Sequence, residues 1–257
     1  MMRLLGWLYI GAIFAFIFLP VIVLVLFSFQ DSRLPVPPFD GPTVKWYTQV
    51  LTDRGLMEAL RNSLAVAAIS AAIALMLGFF AAQGLARVRL PGSVLMRGLL
   101  IAPMTVSYLI IALGLLTVFN DLGVRPSLWT TGIGHVVINL PLCFAILFAA
   151  MGDHQKNAER AARDLGASEM QVLFLVTAPM LKPALLAAFF LSVTFSWDEF
   201  IIAFLLTRFD VTLPVEIWSM LRSGLSPATN AIGSLVFLVS IALLILLELT
   251  VFRKSKA

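Results

Sequence analysis

Charge is what this sequence has least of. Only 12% of its 257 residues are Asp, Glu, Lys or Arg, about half the share a soluble domain carries, so a water-facing globular fold is excluded. One cysteine, Cys143, excludes an intramolecular disulfide and any cysteine-rich metal centre. The two histidines, His135 and His154, have no metal-spaced companion and cannot form a histidine cluster. No glycine-rich nucleotide loop, nucleophile elbow or HExxH stretch occurs, so the chain carries no evident catalytic apparatus and no cofactor site. In a soluble protein the net charge of +4 would suggest nucleic acid. Here it fits flanking charges that orient a chain in a bilayer.

What the sequence has is uncharged length. Twenty-seven residues without Asp, Glu, Lys or Arg separate Arg3 from Asp31, and 25 separate Arg61 from Arg87. Further runs of 23 (Arg97 to Asp121), 27 (Arg125 to Asp153) and 25 (Arg222 to Glu248) follow. Each exceeds the roughly 20 residues that cross a hydrocarbon core of about 30 Å. A sixth run, Pro183 to Trp197, has only 15 and reaches full length by passing through Asp198-Glu199 to Thr207. The expectation is an all-α integral membrane protein with six spans, near 4–29, 62–86, 98–119, 128–150, 183–207 and 229–251, in a single domain covering 1–257. The first run is too long for a cleaved signal and reads as a retained signal-anchor. Pro20, Pro103 and Pro141 fall inside spans and predict kinks or a moving gate.

Six spans put both termini on one side. With cytoplasmic termini, the inner segments hold eleven basic residues: Arg3, Arg87, Arg89, Arg97, Lys156, Arg160, Arg163, Lys182, Arg253, Lys254 and Lys256. The outer segments hold seven: Arg33, Lys45, Arg54, Arg61, Arg125, Arg208 and Arg222. The positive-inside bias therefore predicts cytoplasmic termini. Outside, Pro35, Pro37 and Pro38 exclude a helix, and Thr43 is the expected N-cap of a short surface helix.

Between the fourth and fifth spans lies the polar stretch 157–183. Ala158, Ala161, Ala162 and Leu165 recur at helical spacing, with Glu159, Arg160, Arg163 and Asp164 on other faces. Gly166 ends that helix, and Ser168 with Gln171 forms a capping box for a second one. A helical hairpin over 157–178 follows, closed by Pro179 and Pro183, with a small-residue face suited to a partner's groove. A flat amphipathic helix on lipid headgroups is the competing reading.

The run AARDLGAS, with Pro179 thirteen residues past Gly166, resembles the "EAA" coupling loop of bacterial ABC-importer permeases. The consensus Glu directly precedes the Ala pair. Arg160 occupies that place here, and Glu159 sits one residue earlier, about 100° around the helix. The stretches TVKWYTQVL, AARDLGASEM, FSWDEFIIAFLLT and LPVEIWSMLRSGLSPATNA look like the PotC-type permeases of spermidine/putrescine importers, in the same order. Opine, iron and phosphonate permeases share much of the pattern. The resemblance implies a type I importer permease without catalysis of its own. Its implied partners are a second homologous permease, ATPase subunits on the inner face and a substrate-binding protein outside. Glu159, Ala161, Ala162, Asp164, Gly166, Ala167 and Ser168 are then the expected ATPase-coupling residues.

Asp198 and Glu199 are the expected substrate path. Carboxylates within hydrocarbon cost about 2.5–3.5 kcal/mol each on insertion scales unless they face water, a cation or a substrate. Their bland alternative is a place at the outer headgroups. Trp46, Tyr47, Trp197 and Trp218 fall near the outer interface, either as an aromatic belt or as rings facing the path. Together these residues point to a polyamine or related organic cation. The rival from another class is a stand-alone secondary transporter or channel, which inverted repeats and paired broken helices would favour, whereas only the fifth span reads as interrupted.

Overall fold

The computed structural model describes residues 2–88 and 91–251, with side chains described for 6–88 and 91–249. Of the basic residues assigned to the inner side, Arg89, Arg253, Lys254, Lys256 and the Arg3 side chain lie outside the described residues. In chain order the helices are α1 (Met2–Ser28), α2 (Lys45–Thr52), α3 (Arg54–Arg87), α4 (Ser93–Ile101), α5 (Tyr108–Asp121) and α6 (Leu128–Ala150). Then come α7 (Asp153–Asp164), α8 (Glu169–Gln171), a π-wound turn (Val172–Thr177), α9 (Ala178–Met180), α10 (Lys182–Trp197), α11 (Ile201–Leu206), α12 (Leu213–Ser223) and α13 (Pro227–Val251). The fold is all-α: the extended pairing among the described residues is one isolated bridge, Gln30 to Pro42. Among the described residues, four helices are long and apolar enough to cross a membrane unaided, and up to six crossings result when two bent pairs each count as one: Ser93–Thr105 with Tyr108–Asp121, and Glu169–Met180 with Lys182–Trp197, bent by 73°.

Two compact units share the chain. The first takes residues 1–59 and 215–241. In it α1 runs unbroken through Pro20 and exposes Trp7, Phe14 and Phe16, a surface suited to hydrocarbon. The chain after α1 is tied by buried Gln30. Its Nε2 donates to Ser32 Oγ (2.8 Å) and Pro38 O (3.0 Å), and its Oε1 accepts from Asp40 N (3.1 Å). Thr43 caps the start of α2 as expected: its Oγ1 accepts from Lys45 N at 3.3 Å, while its own N–H bonds Phe29 O at 2.8 Å and ties the helix start to the end of α1.

The second unit takes residues 60–214 and 242–257. Small residues bring α3 against α6: fully buried Ala74 shares one cluster with Cys143 of α6 and Ala188 of α10, the close packing membrane helices use where no hydrophobic drive exists between them. A Cβ at Gly78 would lie 2.8 Å from Cys143 Cβ and 3.0 Å from the Phe144 backbone nitrogen. Backbone cannot yield as a side-chain tip does. Gly78→Ala is therefore expected to destabilise the unit by about 1–3 kcal/mol, read as a lower thermal midpoint in detergent. Gly84→Ala, with nothing within 4 Å of its Cβ, is the control.

The third crossing is not one helix over 98–119. It is α4, a 3-10 turn over Ala102–Thr105, and α5, bent by 104°. Pro103 lies in that turn without an N–H to continue the ladder, and Ser107 starts α5 anew by accepting from Leu109 N. Pro20 and Pro141 sit inside continuous helices. Around the ends of α3 and α6, Phe79, Leu85, Phe144, Leu147, Met151 and Leu181 form a buried apolar cluster that also receives Leu173 and Ala178. This cluster seats the second arm of the 157–178 hairpin.

Candidate functional site

The span expected over 183–207 is not one helix: it breaks at its acidic pair, between α10 and α11, and the two carboxylates part company. Helix α10 stops at Trp197, and Asp198 leaves helical geometry at φ −101°, ψ 6°. Glu199 then turns inward. Its Oε1 accepts from Ile201 N (2.8 Å), and its Oε2 accepts from Ile202 N (2.9 Å) and Ala203 N (3.3 Å). A carboxylate on the free N–H groups of a first turn satisfies donors no helix can and complements the helix dipole. Glu199 is thus the reason a second helix, α11, begins here. Asp198, one residue away, is exposed and makes no ion pair among the described residues.

A chain of buried polar groups fixes the break to its neighbours. His135 of α6 places Nε2 3.5 Å from Glu199 Oε2, and its Nδ1 contacts Ser196 Oγ. Ser196 Oγ lies 3.1 Å from Ser70 Oγ on α3. Trp197 is 2% exposed, with its indole N–H unpartnered among the described residues. Beyond α11, Asn62 Nδ2 donates to Val211 O (3.1 Å) and Ser63 Oγ accepts from Leu213 N (2.8 Å). Four helices converge on one interruption.

Trp46 and Tyr47 belong to the first unit. Trp46 Nε1 donates to Gln30 O at 2.6 Å, and Tyr47 Oη lies 2.6 Å from Ser28 Oγ. Tyr47 also packs on Phe29, ring centroids 5.1 Å apart. Their polar handles tie α2 to the end of α1 and their rings stay half-buried.

The hairpin is built as its sequence demands. Gly166 takes φ +88°. Its N–H bonds Arg163 O (2.9 Å) and the Ala167 N–H bonds Ala162 O (3.0 Å), the paired bonds of a Schellman motif. Ser168 N donates to Gln171 Oε1 (2.8 Å), and Gln171 N returns to Ser168 Oγ (3.3 Å). Arg163 grips Glu169 with two bonds, 2.7 and 3.0 Å, linking the arms across the turn. That guanidinium holds the Glu169 carboxyl below the usual carboxylate range, and its own pKa rises. Leu165 (88% exposed), Met170 and Leu175 project at and beyond the turn. Of the expected coupling residues, Ala161, Asp164, Gly166 and Ser168 are exposed and Ala162 and Ala167 half-buried.

Glu159 differs from the rest. It is fully buried, accepts from Arg87 Nε (2.7 Å) and Nη2 (3.2 Å), and takes a third bond from Thr177 Oγ1 (3.0 Å). Sequence reasoning missed Arg87, Thr177, His135, Ser196 and Ser70. The available signal was polarity inside charge-free runs: a lone His in a 27-residue uncharged stretch needs a buried partner.

Residues 74–256 match the family described as the binding-protein-dependent transport system inner membrane component. The chain is 31% identical over 256 residues to the spermidine/putrescine transport system permease protein PotC of Escherichia coli (strain K12), covering 99% of this chain and 96% of that one. It is 32% identical over 231 residues to the putrescine transport system permease protein PotI of the same organism, covering 87% and 82%. Among solved structures, a chain of a bacterial alginate ABC transporter in complex with an alginate pentasaccharide-bound periplasmic protein superposes with a TM-score of 0.71. The identity is 16%, and 99% of this chain and 96% of that one are covered. That likeness concerns the fold.

Proposed function

The chain belongs to the binding-protein-dependent transport system inner membrane components, and from that premise we propose that it is the permease subunit through which an ATP-driven importer moves polyamines into the cytoplasm. As a family member it is a transport subunit and not an enzyme; ATP hydrolysis falls to a separate subunit. Its multi-pass helices lie in the inner membrane, with both termini and the 157–178 hairpin on the cytoplasmic side. The partners are a second homologous permease, ATPase subunits gripping the hairpin and an external binding protein that delivers the solute.

The observation that carries the substrate reading is the division of labour at the break. Glu199 is consumed by backbone donors, which leaves Asp198 as the free carboxylate at the interrupted crossing. A free anion there lowers the energy of an ammonium group passing it and raises that of an anion. Trp197 supports the segment from behind. Trp46 and Tyr47 serve by shaping the outer end of α1: Lys45 Nζ already lies over the Trp46 ring, 5.0 Å from its centroid, and Tyr47 packs on Phe29. Polyamines are named by the relatives PotC and PotI, and their charge suits this carboxylate.

ATP binding closes the ATPase dimer, the hairpin carries that motion, and the permease pair alternates between outward- and inward-open states. The reading is tested by uptake of labelled putrescine and spermidine into liposomes holding the complete transporter and its binding protein. ATP-dependent accumulation of either, abolished by an excess of the other, is expected. Accumulation of an acidic or neutral solute with no polyamine uptake overturns the substrate, and purification without an ATPase overturns the importer.

A further inference from the structure

We propose that Arg87, Glu159 and Thr177 form a buried latch that makes the coupling hairpin and the second crossing, α3, move as one body. This rests on the reading that an ATPase pushes the hairpin.

The hairpin is held covalently at two places, where α7 follows α6 and where α9 leads into α10. Two attachment points leave a body free to swing about the line through them. The latch adds a third point on a different helix, 72 residues away in sequence for Arg87 and Glu159. Three points not in line remove the swing. The third is also directional: two bonds from one planar guanidinium to one carboxylate fix angle as well as distance, and Thr177 fixes the second arm to the same carboxylate.

Packing alone would not do this. The apolar cluster of Phe79, Leu85, Leu147 and Leu181 already seats the hairpin, but apolar contacts are non-directional and tolerate sliding. A buried ion pair adds little net stability over apolar residues of similar size. Its presence beneath an apolar seat, with Glu159 fully excluded from solvent, is accounted for by register. Arg87 ends a 34-residue helix, whose Ser70 meets Ser196 beside the acidic break. From Arg87 to Ser70 is about 25 Å of continuous helix, a rigid rod from the hairpin to the break.

The test uses the complete transporter in liposomes and reads solute taken up per ATP hydrolysed. Arg87→Met with Glu159→Leu removes both charges together and leaves none stranded. It is expected to lower the ratio tenfold or more. Thr177→Val, which keeps the ion pair, is expected to lower it about threefold, with Thr177→Ser restoring it. A merely structural role would reduce the amount of assembled transporter and leave the ratio alone. If the double variant does not assemble, the Thr177 pair decides alone, and wild-type ratios in Thr177→Val overturn the latch. Failure of the underlying reading looks different: the wild-type complex itself then shows no ATP-dependent uptake.

Discussion

Gly166→Val is expected to cut ATP hydrolysis stimulated by the loaded binding protein at least fivefold, while Gly166→Asn stays near wild type. The turn holds Gly166 at φ +88°, where a β-branched residue is a steric outlier and Asn is the best-tolerated substitute. Nothing lies within 4 Å of a Cβ built there, so crowding is not the cause and the backbone alone decides. Strain of about 1–3 kcal/mol lowers the population of the formed turn by about 5- to 150-fold. The two Schellman bonds, the Ser168 capping box and the Arg163–Glu169 clasp all assume that turn. With it undone, Leu165 no longer projects at a fixed angle. Hydrolysis measured on the reconstituted complex separates the outcomes: equal stimulation in the valine variant denies the turn a coupling role.

Local chemistry was legible where it depends on neighbours in sequence. Gly166, Ser168 and Gln171 announce their turn and cap because those bonds close within a few residues. The uncharged runs announce the crossings for the same reason. The 3.6-residue period said which residues share a face, but not which face turns inward. Glu159 lies inside because Arg87 waits there, and that pairing spans 72 residues. Pro103 announces a kink in the third crossing, and the bend is there; its size, 104°, also depends on Ser107 restarting the ladder just after it, which the uniformly apolar composition does not register. Spacing excludes His135 as a metal ligand but does not say what a buried imidazole touches: its contacts, Ser196 and Glu199, lie 61 and 64 positions away.

The neighbouring acids 198 and 199 give the second large effect, through opposite signatures. Asp198→Asn keeps the shape and removes the charge of an exposed side chain with no ion pair among the described residues. Melting temperature and assembly should stay at wild type while putrescine uptake falls. Hydrogen bonds to charged groups are worth about 1.5–3 kcal/mol, so the expected loss is about 10- to 150-fold. Glu199→Gln loses something else. Its carboxylate answers three backbone N–H groups, and an amide offers one acceptor oxygen and turns donors toward donors. Leaving such buried groups unsatisfied costs about 1–3 kcal/mol, so the thermal midpoint and the yield of folded transporter should drop. Uptake per folded transporter should change less than for Asp198→Asn. Were the pattern reversed, with Glu199→Gln silent in stability and Asp198→Asn silent in uptake, Glu199 would be the path residue and Asp198 a bystander at the membrane surface. Uptake normalised to assembled complex, beside a melting curve for each variant, separates the two assignments.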